Sequence, residues 1–512
     1  MSQPFVALSM FVHSKKNKSG LISVQVIGKN AGKYKLIKTI GCSSDQLYIQ
    51  KLLIRANQWI KDQTGILELD FSDELKTTHQ ILDGIEKLTL KGTELLLGKL
   101  FSEIGFSKIK DELFRQLVIA RLCYPTSKLG TTDYLYKYQN IQVEVQTVYR
   151  YLDKLYNKQK ELVQSISYQH TLTILKNSIS IVFYDVTTLY FEVDNEDELR
   201  KTGFSKEGKH QHPQIVLGLL VSVDGYPLAY EIFEGNKFEG YTMLPVIDTF
   251  KNKYKLDKLV IIADSGLLSN ENITELQTKG YEYILGAGIK NEKQDIKSKI
   301  LALKLTNGGS EIIQKDSITK LIISFSEARA AKDKANRQKG LKKLEKQVKN
   351  GKLTKASISN RGYNKYLKLE GSVSISINED KVKEDGKWDG LKGYLTNTTL
   401  TKELIIENYG QLWKIEKAFR ITKTDLKIRP IYHFKSRRIE AHICISFAAC
   451  KIYKELERQL KEKQSPLSPE KAIDIAKTIY SITLTTPTTK EKVTKTLILN
   501  EEQKNLMALF NL

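Results

Sequence analysis

Two apolar runs that each lead into an aspartate do most to limit what this chain can fold into. In "IVFYDVTTLYFE" the strand formers Ile181 to Tyr184 precede Asp185, and in "LVIIADSGLLS" a second apolar run ends at Asp264. Short runs of β-branched and aromatic residues favour buried strands. A carboxylate at such a place must be paired, protonated or bound to a cation, because an isolated buried charge is costly. Asp185 therefore needs partners from elsewhere in the chain. The Ser265-Gly266 turn predicts that the Asp264 carboxylate sits at the carboxyl edge of the sheet.

The neighbouring elements suggest a topology. After the Asp185 strand come "QIVLGLLVS", a tight turn at Val223-Asp224-Gly225-Tyr226 and "PLAYEIFEG", which together read as a hairpin beside the first strand. A helix at "YTMLPVIDTFKNKY", the Asp264 strand, a second helix and the strand "YEYILGAG" follow. Three antiparallel strands, then helix, strand, helix and strand, is the order of an α/β RNase H-like core with a mixed five-stranded sheet. In that order the first and fourth strands lie side by side, which would bring Asp185 and Asp264 together.

A third carboxylate is expected from a helix packed on those strands. "IIENYGQLWKIEKAFRITKTDL" supplies Glu416, and Tyr409, Glu416, Arg420, Lys423 and Lys427 recur at helical intervals on one expected face. Three convergent carboxylates suit Mg²⁺, with Mn²⁺ as a substitute, since both take oxygen ligands. A pair of such ions supports in-line phosphoryl displacement, and nearby basic side chains can hold the scissile phosphate.

Charge agrees with a polyanionic partner. Lys and Arg number 81 against 59 Asp and Glu, a formal charge of +22, which favours nucleic acid through counterion release. With 41% apolar and 27% charged residues in 512, the chain has the composition of a globular protein of several domains. The four cysteines are scattered, without zinc-ligand spacing. The first residues lack a signal-peptide pattern and the apolar runs are short for a bilayer, so a soluble, cytoplasmic protein is expected.

Along the chain, residues 1–92 read as a small α/β module and 93–176 as a helical, DNA-binding region, with Thr147, Tyr149, Arg150 and Lys154 on a candidate reader helix. Residues 177–290 read as the first part of the core and 291–395 as an insertion with a basic helix, whose apolar face carries Leu341, Leu344 and Val348. Residues 396–460 supply the C-terminal helices of the core, and 461–512 form an appendage.

These residues resemble the DDE transposases of bacterial insertion sequences, in the branch with a Tyr-x2-Arg-x3-Glu-x6-Lys signature. The matching positions are Tyr409, Leu412, Glu416 and Lys423, with Leu412 where the family has Arg. "FYDVTTLYFE", "QIVLGLLVSVDGYPLAYEIFEGN", "IIADSGLLS", "DGLKGYLTN" and "RPIYHFKSRRIEAHI" look like that family's blocks in its order. The resemblance implies a nucleoid-associated enzyme that binds the terminal inverted repeats of its element in double-stranded DNA, cuts the ends and joins the 3′-hydroxyls to target DNA. A homodimer would pair the two ends. Asp185, Asp264 and Glu416 would be the catalytic, metal-binding triad. The resemblance also implies a mostly β insertion between Asp264 and Glu416. DNA contacts are expected from Tyr409, Arg420, Lys423, Lys427, Arg437 and Arg438, and from Trp388 stacking on an unpaired base. Two other readings stay open: a nuclease without strand transfer, and a catalytically inactive transposase-derived DNA-binding protein.

Overall fold

The structure is a computed structural model, and it describes residues 9–512 except 31, 65–71, 177, 194, 206–207, 268, 351–352, 354–356, 360–361, 371–373 and 488. Its contacts divide the chain into two units, Met1–Glu86 with Leu484–Val493, and Lys87–Thr483 with Thr494–Leu512. In the smaller unit the strands Ser9–Lys16, Ile22–Asn30 and Lys33–Ser43 form an antiparallel meander. The helix Gln46–Thr64 lays Ile49, Leu52 and Ala56 against Val24 and Val26 of that sheet.

The larger unit is a mixed α/β body built around an eight-stranded sheet. Its strands are β1 (Ile181–Tyr190), β2 (Gln214–Ser222), β3 (Pro227–Glu234), β4 (Val260–Ala263), β5 (Glu282–Ala287), β6 (Ser310–Gln314), β7 (Lys320–Phe325) and β8 (Leu391–Thr396). They lie in the order β6-β7-β8-β5-β4-β1-β2-β3. β1, β2 and β3 are antiparallel, whereas β4 runs parallel to both β1 and β5. The hairpin between β2 and β3 turns at Gly225, whose φ of 77° is the left-handed conformation that glycine adopts without strain.

The sheet has eight strands where five were expected. Strands β6 to β8 come from the stretch read as an insertion, yet β8 pairs antiparallel with β5 and carries the sheet three strands further. A free β5 edge would present unpaired backbone groups, and the apolar "KLIISF" and "LKGYLT" satisfy them while adding Leu321, Ile323 and Leu395 to the core. Gly393 permits the close approach, since a Cβ there would lie 2.2 Å from Ile289 Cγ2.

Alternation along β1 explains the two apolar layers. Val182, Tyr184 and Val186 face one cluster, with α6 (Met243–Tyr254) and α7 (Asn270–Thr278). Phe183 and Leu189 face the other, where the earlier helices α1 (Gly92–Ile104), α2 (Glu112–Cys123), α3 (Lys128–Gln139), α4 (Val145–Lys158) and α5 (Lys160–Ile174) pack. The same layer receives α9 (Lys402–Gly410), α10 (Trp413–Arg420) and the long α11 (Ser436–Glu462). Pro469–Ala476 and Glu501–Phe510 add Ile473, Ala476, Leu506 and Phe510 to it. The basic helix α8 (Glu327–Lys349) buries Leu344, with Leu341 and Val348 beside it, against Tyr366 and Leu367. Among the described residues no helix is long and apolar enough to cross a membrane.

Candidate active site

The parallel ladder between β1 and β4 ends at the pair Tyr184 and Ala263. The next residue of each strand is an aspartate, so Asp185 and Asp264 follow side by side past the end of that ladder. Asp185 is not at the end of its own strand, because β1 continues to Tyr190 against β2 and Asp185 sits opposite Leu219. Parity puts both aspartates on one face: Phe183 and Ile262, two residues before each, belong to the layer that contains α10. Helix α10 packs on β1 and carries Glu416.

Each carboxylate has a distinct setting. Asp264 is exposed, and its Oδ1 accepts from the Ser265 N–H at 2.7 Å and from Tyr409 Oη at 3.1 Å. Asp185 is half-buried, with Oδ1 accepting from the Val186 N–H at 2.7 Å. Glu416 is exposed, and its carboxylate accepts no hydrogen bond from the described residues. Burial pushes the Tyr409 hydroxyl well above its ordinary value, and the charge of Asp264 adds to the shift. Tyr409 is therefore a neutral donor. Gly286 makes room for it, since a Cβ there would lie 2.3 Å from the Tyr409 hydroxyl oxygen.

Lys392 on β8 belongs to this site and was missed in the sequence. Its ammonium lies 4.4 Å from the Tyr409 ring centroid. Burial and Arg329 lower its pKa, while the charges of Asp264 and Glu416 act in the opposite direction. Its only signal was membership of "DGLKGYLTN"; the β8 to β5 pairing that brings it to Asp264 is not local.

The single helix expected across Tyr409 to Lys427 is interrupted. Backbone N–H groups of Gln411, Leu412, Lys414 and Ile415 bond three residues back, which tightens the chain between α9 and α10. Gly410 weakens the helix there, and Leu412 is drawn into the core. After α10 a π-helical turn covers Ile421–Asp425, and Lys427 leaves it at φ 43°. The five polar residues thus do not share one face. Tyr409 is buried, Glu416 and Arg420 are exposed one turn apart, Lys423 is half-buried, and Lys427 borders a separate cavity.

The remaining residues are spread more widely. Trp388 packs against the apolar layer on the α6 face and lines a cavity of about 630 Å³ with Lys392, Arg329, Arg337 and Tyr363. Arg437 and Arg438 both hydrogen-bond Asp153 of α4 through Nε at 2.8 Å. Lys414 donates to the Val223 carbonyl at 2.7 Å in the β2 to β3 turn, and Lys417 pairs with Glu457. Three oxygen-donor carboxylates on one sheet face suit a hard divalent cation by ligand type. Among the described residues no three His, Cys, Asp or Glu side chains are gathered closely enough to hold one. Asp264 and Glu416 nevertheless keep oxygens without donors among the described residues, as a cation site requires.

A family model described as "Transposase DDE domain" matches residues 176–450. No curated protein matches. Among solved structures the chain is similar to a piggyBac transposase synaptic complex with hairpin DNA, at 10% identity over 78% of this chain and 77% of that one, with a TM-score of 0.38. It is also similar to a Mos1 transposase paired-end complex with the left transposon end, at 11% identity over 31% of this chain and 53% of that one, with a TM-score of 0.16. The family match spans more than half of the chain and takes in Asp185, Asp264 and Glu416, so the protein belongs to the DDE transposase family.

Proposed function

We propose that the protein binds the terminal inverted repeats of its insertion sequence, cleaves the DNA ends and transfers their 3′-hydroxyls to target DNA. The observation that carries this reading is the register that sets Asp185 beside Asp264 under the helix bearing Glu416, within the matched span. The inner strand order β3-β2-β1-β4-β5 supports an RNase H-like core, to which β6 to β8 are appended.

Asp185, Asp264 and Glu416 would hold Mg²⁺, or Mn²⁺ in its place. When bound, the cation supplies charge that activates the attacking oxygen and stabilises the leaving one. The chain's own residues do the rest. Tyr409 holds the Asp264 carboxylate in place by donating to its Oδ1. Lys392, beside the Tyr409 ring, would offer an ammonium on which a scissile phosphate can rest. Arg420, one turn past Glu416 and exposed, would extend that positive surface along the DNA strand, with Lys423 beyond it in the π-helical turn.

The cavity holding Trp388 opens beside Lys392, and a base unpaired at the cut end would stack there. Arg437 and Arg438 would contact the DNA backbone while their Asp153 pairs brace α4, a candidate reader helix. Pairing two ends implies a homodimer in the DNA complex, in the bacterial cytoplasm and on the nucleoid. Leu412 at the signature Arg position would remove one phosphate contact of the branch, and Lys392 would substitute for it. The test is cleavage of a duplex carrying the DNA that flanks the gene, with Mg²⁺, at the element boundary. Binding by the wild type without any metal-dependent nick would overturn it.

A further inference from the structure

A second cavity, of about 340 Å³, is lined by Arg121, Lys128, Lys427, Arg429, His433 and His442, and by no carboxylate among the described residues. Arg121 and Lys128 are 5% and 4% exposed. Two buried cations without a counter-ion are costly in any fold, and each raises the cost of the other. Two other cations drawn out of water in this unit have close partners. Lys160 meets Glu231 and Glu440, and Lys451 is held by Thr171 Oγ1 at 2.6 Å, the Ser167 carbonyl at 3.2 Å and the Tyr226 ring.

At this cavity the described partners are few. Arg121 makes one long bond, 3.5 Å, to the Leu426 carbonyl. His442 is bonded to the Ile428 carbonyl through Nε2 at 3.0 Å, so the proton is there and Nδ1 accepts from Lys128 at 3.4 Å. That leaves Lys128 two N–H donors and Arg121 most of its five. Burial, with Arg121 adding to it, holds the Lys128 ammonium well below its ordinary value, as expected of a cation still lacking its anion.

We propose that this pocket is a phosphate site, and that the phosphate belongs to the DNA on which the proposed transposase acts. A guanidinium and an ammonium at the base, with Lys427 at the exposed mouth, are the donors a phosphate group takes. The volume lies at the lower end of ligand pockets, about 300–1,000 Å³, and suits a phosphate with its sugar. The pocket is tied to the strand that carries Asp185: the Ile431 N–H donates to the Tyr190 carbonyl at 3.4 Å, at the far end of β1. Five strand residues span roughly 17 Å, about half a turn of duplex. One bound duplex would therefore reach both sites. The phosphate site rests on the pocket alone; its source in DNA rests on the proposed function.

The test uses the full chain. Inorganic phosphate, against chloride at equal ionic strength, should raise the melting temperature of the wild type saturably and leave Lys128→Met unmoved. Tungstate soaked into crystals should give anomalous density between Arg121 and Lys128, which also serves if Lys128→Met fails to fold. On a duplex the wild type binds, ethylating one phosphate should weaken wild-type binding at least tenfold and leave Lys128→Met unaffected. No phosphate effect on the wild type, or an empty pocket at saturating tungstate, would overturn the site. Phosphate binding with no such position in the DNA would reassign it to a free anion and overturn the DNA source. A wild type that binds phosphate but no duplex would sink the proposed function and leave the pocket standing.

Discussion

The acidic edge at Asp185, Asp264 and Glu416 and the basic pocket around Arg121 and Lys128 solve opposite problems on one sheet face. At the edge like charges are kept in contact with water: Asp264 and Glu416 are exposed, and Asp185 is half-buried. In the pocket like charges are buried, with one backbone carbonyl and a histidine as their described partners. The edge can await a cation at little cost to the fold, whereas the pocket taxes the fold until an anion arrives. Ligand removal should therefore silence the edge without loosening the protein, and ligand addition should stiffen the pocket.

The largest effect expected is at the edge. Asp185→Asn or Asp264→Asn should lower the cleavage rate on the order of 10³-fold or more, with chelation doing the same to the wild type and thermal stability unchanged in both cases. An equal loss of stability would put these carboxylates in the fold rather than in the chemistry. Next, Leu412→Arg, which restores the residue of the signature, should destabilise by about 3 kcal/mol in urea unfolding, since that position is in the core. Improved cleavage at unchanged stability would show that the Leu412 side chain can leave the core without cost.

The pocket answers to pH. Burial and the charges of Lys128, Arg121 and Arg438 hold His433 down at about 3, against about 6.5 when unfolded. The unfolded chain then binds the extra proton first, so this contribution is fully present above pH 6.5 and is lost as pH falls toward 3. Between pH 7 and 5 the wild type should lose about 2 kcal/mol more than His433→Gln. Parallel urea curves at the two pH values decide it, and added phosphate should shrink the difference. The smallest effect concerns the Tyr409 hydroxyl. Tyr409→Phe should cost about 1 kcal/mol and roughly tenfold in cleavage, and Gly286→Ala should reproduce the cleavage loss by crowding the same hydroxyl.

The two regions also differ in how much of them could be read from residues alone. Asp185 and Asp264 announce themselves because each follows its own apolar run, and period-two alternation fixes the face. Glu416 was legible as the acidic residue of a helical segment, but the break at Gly410 and the turn at Lys427 were not, since propensity does not reveal that Leu412 is pulled inward. Extension of the sheet by β6 to β8 depends on edge pairing between segments far apart in sequence, and so does the arrival of Lys392. The basic pocket was illegible for the same reason. Its cations come from α2, α3 and the segment before α11, and Arg121 and Lys128 look like ordinary surface charges until packing buries them.

The central claim is that Glu416 completes a metal-dependent cleavage site with the two aspartates. Its most direct test is nicking of a labelled duplex carrying the flanking DNA, with Mg²⁺ or Mn²⁺, by the wild type and by Glu416→Gln. The account predicts metal-dependent cuts at the element boundary that the variant loses while still binding the duplex. Cleavage that survives in Glu416→Gln, or a wild type that binds the duplex and never cuts it, would contradict the account.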